Sequence, residues 1–235
     1  MEVIMFRKKN KSIIMSYLTL RQLIGILGML LPFICILGGL AFADLPGQRS
    51  ISFYYNTNMR DFFVGLLIAV SMFLFTYKGY EFVDYLITSI IGAAGLGIAL
   101  FPVPSVDNLS VPIGLFQINS KISSVIHLIS AAIFFALLAA NSMFLFTLSK
   151  DKNVETTRNK KIRNIIYISC GVIILLSLLM FPLLGSDRLS KGRMVLILET
   201  VMLAAFGLSW IVKGGTIFKD VKTIIGDTTN SIDGD

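Results

Sequence analysis

Apolar residues fall along this chain in runs of about twenty, separated by short polar breaks, and these runs set its architecture more than any periodic stripe does. Six can be read, at about 22–42, 62–80, 85–101, 124–148, 165–184 and 194–212. A run of about 20 residues suffices to cross a hydrocarbon core ~30 Å thick. The second run is the shortest and, starting at Phe62, needs the segment as far as Tyr80 to complete it. Pro102 and Pro104 close the third, since proline cannot continue a helical hydrogen-bond ladder. Small residues mark where helices can approach: Gly92, Gly95 and Gly97 in the third run, and Ala132, Ala136 and Ala140 at four-residue spacing in the fourth, which predicts burial along that stripe. The expected fold is all-α, an integral membrane bundle of six helices forming one domain over 1–213, followed by a polar tail over 214–235. No internal repeat is sustained, which disfavours a transporter built from inverted halves.

Composition supports the bilayer as solvent. The chain is 55% hydrophobic and 15% charged, with a mean hydropathy of +0.79, against about 25% charged residues in ordinary soluble domains. The net charge of +7 does not point to nucleic acid, because the basic residues gather at the ends of the apolar runs, where they act as topology signals and headgroup contacts. The cluster Arg7, Lys8, Lys9 and Lys11 is attracted to anionic lipid by ~1 kcal/mol per residue. Six spans put both termini on one side, and that side carries roughly 15 Lys and Arg against roughly 6 opposite, so both termini are expected in the cytoplasm. Ala41-Phe42-Ala43 mimics a signal-peptidase site, but the run before it is longer than a signal peptide's apolar region, so an uncleaved anchor is expected. Asn108-Leu109-Ser110 is a glycosylation sequon only in a eukaryotic source. Cys35 and Cys170 lie mid-run and read as small packing residues.

With this orientation the densest polar loop, from Ser50 to Gly65, lies on the external side and ends in the charged pair Arg60 and Asp61. His127 and Glu199 interrupt the fourth and sixth runs, each about six residues, or ~9 Å, below the same surface. Ionisable groups in a membrane span cost ~2.5–3.5 kcal/mol at its centre and therefore face partners. The expected ligand-binding set is Ser52, Tyr54, Tyr55, Arg60, Asp61, His127, Ser130 and Glu199, with Asp44 at the same depth. As packing contacts the same residues predict a pair between Arg60 and Glu199 or Asp61, and a hydrogen bond from His127 to Ser130 or a tyrosine. At the other membrane face Trp210 and Lys213 read as an interfacial anchor with a snorkelling lysine, and Asn141 as an interhelical hydrogen bond. No Cys/His metal spacing, phosphate-binding loop or dinucleotide fingerprint occurs, and no catalytic set is complete, so no metal, cofactor or catalytic residue is assigned.

The run from Ile91 to Pro102, ending Leu-Phe-Pro, followed by His127-Leu-Ile-Ser-Ala-Ala-Ile-Phe-Phe135, resembles a family of uncharacterised six-helix bacterial membrane proteins whose fourth helix opens with a histidine. Ile51-Ser52 and Glu199 are more distantly similar to the Frag, DRAM and Sfk-like membrane proteins, linked to lipid organisation and autophagy. These resemblances cover nearly the whole chain in helix order and imply a bacterial inner membrane location, without an established activity. The layout also resembles ceramidase-like and progestin-receptor-like membrane hydrolases, but their metal sites need three histidines and this chain has only His127. Two functional classes follow. One is a non-enzymatic accessory protein whose partners are membrane lipids or a small amphiphile. The other is a proton-linked transporter or membrane hydrolase that uses His127 and Glu199 as titrating groups.

Overall fold

The computed structural model describes residues 2–79, 82–104, 111–148, 157–191 and 193–215, with 2–16 and 184–191 given by their backbone alone. Tyr80, the sequon at Asn108, much of the basic loop after 148 and the tail beyond 215 lie outside them. Among the described residues six helices carry the fold: α1 (Glu2–Ala43), α2 (Arg60–Thr76), α3 (Phe82–Leu100), α4 (Ser120–Ala140), α5 (Arg158–Lys191) and α6 (Met194–Lys213). Five of them contain segments long and apolar enough to cross a membrane, Tyr17–Ala43, Phe82–Leu100, Ser120–Leu145, Arg158–Leu183 and Met194–Lys213. The exception is α2, whose 17 residues span about 26 Å at 1.5 Å per residue. It stops at Thr76 because Tyr77 turns extended, so the second run does not continue to Tyr80 as a helix.

Each helix packs on the next in sequence, and α6 returns to α1, so the six close into a ring. The closing contact is made by glycines. A Cβ on Gly25 would sit 2.6 Å from the Gly207 carbonyl oxygen, and one on Gly207 would sit 2.5 Å from that of Gly25, so the two backbones touch with no room for a methyl group. The glycines of α3 serve both of its neighbours, Gly92 and Gly95 meeting Ser71 of α2 and Gly97 meeting Ser130 of α4. The alanine stripe of α4 behaves otherwise. Ala132 and Ala136 are exposed, and α4 buries Phe134, Phe135, Leu138 and Ala139 instead. The middle of a six-helix ring is wide, and bulky rings rather than small residues fill it: Phe134, Leu138, Phe206 and Trp210 are all buried there, with Phe206 edge-on to both Phe134 and Trp210.

Between α3 and α4 the chain forms a two-residue antiparallel ladder, β1 (Pro112–Ile113) with β2 (Ile118–Asn119). Gly114 allows the turn, with φ 74° and its α-carbon packed against Pro102. Asn119 then caps α4 by accepting from the Lys121 backbone N–H at 2.9 Å, which is why the helix begins at Ser120, four residues before the apolar run. At its far end α4 widens into a π turn, Asn141–Leu145. Large apolar side chains cover the outside of the ring, among them Leu37, Leu128, Ile165 and Leu176, while Arg21, Ser71, Thr88, His127 and Asn141 are buried within it. A surface of this kind with polar groups turned inward is suited to a lipid solvent.

Candidate functional site

Where α1 ends, Asp44 takes a left-handed conformation (φ 49°) and the Leu45 N–H bonds back to the Gly39 carbonyl at 3.2 Å, which satisfies one of the helix's terminal carbonyls. The chain then crosses the end of the bundle and is tied to α6 at two places. The Arg49 carbonyl accepts from the Leu196 N–H at 3.0 Å, using a first-turn donor that has no partner within its own helix. Glu199 Oε2 accepts from the Ile51 N–H at 2.5 Å, a bond that fixes the entry to a short 3-10 helix, Ser52–Asn56. Ser50 Oγ accepts from the Phe53 N–H at 3.2 Å and tightens the same turn.

From the other side α4 presents Ser123 and His127, one turn apart on one face. They meet the end of α3, where Pro102 stops the helix and leaves the last carbonyls without intrahelical donors. Ser123 Oγ donates to the Pro102 carbonyl at 2.7 Å, and His127 Nδ1 lies 2.8 Å from the Phe101 carbonyl oxygen. A carbonyl oxygen only accepts, so Nδ1 carries the proton and donates. In the neutral ring Nε2 is then left with a lone pair, and Ser52 Oγ, 2.9 Å away, donates to it. The imidazole is 3% exposed and held at both nitrogens.

Beside this pair is a cavity of about 460 Å³. Arg49, Ser50, Ser52, His127 and Glu199 form its polar end, and Phe135, Leu178, Phe181 and Met202 are among its apolar walls. Leu128 and Ala132 also line it and are exposed on the outer face of α4, so the cavity opens sideways through the apolar surface of the ring. Deeper in, a void of about 40 Å³ touches Ser52 and Glu199 and ends against Phe134 and Leu203.

The structure thus gathers three of the expected residues, Ser52, His127 and Glu199, and separates the other five. Tyr54 is fully buried with its ring against Gly39, its hydroxyl accepting from the Gln48 N–H at 3.5 Å, and burial raises the phenol pKa. Tyr55, Arg60 and Asp61 line a different groove of about 360 Å³ beside Leu115. Ser130 meets Gly97 of α3 and not the His127 ring. Arg60 does not pair with Glu199: it is exposed, donates to the Tyr55 hydroxyl at 3.0 Å and lies 4.6 Å from that ring's centroid. It shares a helix face with buried Phe63 and Leu67, but it stands in the first turn of α2, where its side chain is exposed. His127 has Ser52 and Phe101 as partners in place of Ser130 or a tyrosine. Asp44 is exposed and does not line the cavity. Arg49 and Ser50 were not among the expected site residues, although they stand three and two positions before Ser52 in the loop.

The opposite end of the bundle holds a second buried polar group, Arg21. Its guanidinium lies 4.4 Å from the Tyr17 ring centroid and 5.4 Å from that of Tyr77, donating to the Tyr77 hydroxyl at 3.2 Å and to the Lys213 carbonyl at 3.3 Å. Lys213 Nζ donates to the Phe146 carbonyl at 2.9 Å, and Trp210 is 1% exposed with Tyr77, Phe146 and Phe206 edge-on to it. Trp210 is therefore enclosed in the bundle and is not an interfacial anchor, while Lys213, half-buried, turns its amine back to the Phe146 carbonyl. Asn141 is buried in the π turn, and its side-chain nitrogen has no hydrogen-bond partner among the described residues, contrary to the expected interhelical bond. Between the two ends the interior is occupied by Phe134, Leu138, Phe206 and Trp210. No family model, curated protein or solved structure matches this chain, so the geometry of the site carries the functional argument.

Proposed function

We propose that this is a multi-pass protein of a bacterial inner membrane, with both termini cytoplasmic, that binds a lipid or small amphiphile through the side of its bundle. The observation that carries the reading is the cavity of about 460 Å³, polar where Arg49, Ser52, His127 and Glu199 meet and apolar along Phe135, Leu178, Phe181 and Met202. Such a space matches a molecule with one polar and one apolar end, and its size falls within the ordinary range of ligand pockets. The exposed positions Leu128 and Ala132 on its rim give a membrane-dissolved ligand a route of entry that avoids water. The rings stacked between the two ends of the bundle favour a binder over a proton-linked transporter, which needs a polar path. An accessory role in lipid organisation accords with the distant likeness to the Frag, DRAM and Sfk-like proteins.

A photoactivatable long-chain alkyl amphiphile added to the chain in lipid nanodiscs tests this. Crosslinks should concentrate on peptides carrying Leu178, Phe181 and Met202, and an even spread over the outer apolar surface would reject the pocket. Orientation is tested separately by introduced cysteines: one at Asn56 should react with an impermeant reagent in intact cells, and one at Lys160 should not.

A further inference from the structure

The contact between Ser52 and His127 has the form of a nucleophile with its base. Three relations define such a pair: a hydroxyl within about 2.6–3.2 Å of an imidazole nitrogen, a third group that fixes the other nitrogen, and space in front of the hydroxyl for a reacting carbon. Here the hydroxyl lies 2.9 Å from Nε2, and the Phe101 carbonyl, 2.8 Å from Nδ1, sets the tautomer that leaves Nε2 free to accept. Ser52 and His127 both line the cavity, so the reacting group of a bound amphiphile can meet the hydroxyl. A backbone carbonyl stands where hydrolase triads place a carboxylate. It holds the ring but gives less support to an imidazolium, which predicts slow turnover.

Resting on the amphiphile-binding reading, we infer that the cavity is an acyl-transfer site in which Ser52 is the nucleophile and His127 the general base toward a carboxylic ester carried by a membrane amphiphile. Ser52 Oγ attacks the ester carbonyl carbon and its proton passes to His127 Nε2. The bond from that carbon to the alkyl oxygen breaks, and the leaving alkoxide takes the proton from Nε2 and departs as an alcohol. The acyl group stays on Oγ until water attacks it. The water proton moves to Nε2 and then to Oγ, releasing a carboxylic acid, so the net change is ester plus water to acid plus alcohol. Arg49, the cation lining the cavity, supplies the positive charge for the developing oxyanion, while the apolar walls hold the acyl chain. The Ile51 N–H, held by Glu199, is not available for that role.

The test uses the full chain in nanodiscs with an alkyl fluorophosphonate, which reacts with activated serines. Peptide mapping should place the label on Ser52, Ser52→Ala should remove it, and His127→Gln should slow labelling about 100-fold or more. A long-chain p-nitrophenyl ester should be hydrolysed with the same dependence. Thermal unfolding of each variant separates lost chemistry from lost folding, and labelling of the parent chain needs no variant at all. If the photoactivatable amphiphile still crosslinks to the cavity while the fluorophosphonate leaves Ser52 unlabelled and the ester is stable, the acyl-transfer inference falls and the binder stands. If neither probe reaches the cavity, both fall.

Discussion

At one end of the bundle Arg21 lies against the rings of Tyr17 and Tyr77; at the other, His127 lies beside about 460 Å³ of open space. Both are ionisable, both are 3% exposed, and both satisfy more than one hydrogen bond. The difference is in what surrounds the satisfied group. Around Arg21 the aromatic cage and the carbonyl of Lys213 use the guanidinium to tie α1 to α2 and α6, and the neighbouring Lys213 and Trp210 are held the same way. Around His127 the hydrogen bonds hold a loop and a helix end in place while one side of the group faces a cavity. Burial and hydrogen bonding alone therefore do not separate a structural polar group from a functional one in an apolar bundle. Adjacent free volume is the feature in which the two sites differ.

The largest test of that contrast is Arg21→Ala. It removes two hydrogen bonds from a charged donor and the filling of a ring cage, so the chain should lose about 3 kcal/mol of stability, read as a lowered melting temperature in detergent. Amphiphile crosslinking in the cavity should survive at temperatures where the variant is folded, and loss of crosslinking there would mean that the two ends are coupled. Next comes Glu199→Ala, which frees the Ile51 N–H and releases the loop from α6 at a cost of about 2 kcal/mol. Glu199→Gln keeps an acceptor and should lose about half as much. Equal losses from both would show that the carboxylate charge, and not the bond to the loop, is what matters.

Much of this contrast is hidden in the sequence for physical reasons. The apolar runs were legible from their length, and the structure places His127 and Glu199, the two ionisable residues that interrupt them, on one cavity. The exposure of Arg60 did not follow, because spacing gives the face of a helix and not whether its first turn is covered. Arg60 shares the stripe of Phe63, Leu67, Val70 and Leu74 and therefore looked inward, yet at the end of α2 its side chain is exposed. The true partner of Glu199 is a backbone N–H, and backbone donors leave no residue signature. Arg21 was not singled out, since nothing in a run beginning near residue 22 shows that the helix has already started and that the position before it is enclosed. A signal for the histidine's partner was present but unused, because a helix stopped at Pro102 offers carbonyls that need donors, and Ser130 or a tyrosine was expected instead.

Two smaller effects sharpen the comparison from the side of the cavity. Ala132→Trp fills the rim of the cavity from an exposed position, so stability should change by about 0.5 kcal/mol or less while amphiphile crosslinking at Phe181 and Met202 is lost. Retained crosslinking would move the entrance elsewhere. Arg60→Ala should be the mildest change, within about 0.5 kcal/mol, because its partner is an exposed tyrosine contact, and it should add to Glu199→Gln without interaction. A double-mutant cycle with a coupling well above 0.5 kcal/mol would return Arg60 to the site.

The two ties that fasten the loop to α6, through Leu196 and Glu199, join parts of the chain almost 150 residues apart in sequence. Residues 49–52 are synthesised well before α6 emerges from the ribosome. Until then the glycine face of α1 at Gly25 has no partner either, since its contact is Gly207. During biogenesis the nascent chain must therefore hold five helices with an unsealed flank while Ser52 waits for its final placement. A membrane chaperone or quality-control protease reading exposed small-residue faces would meet this protein in that interval, and premature termination before residue 194 would leave a product with neither a closed ring nor an assembled pocket.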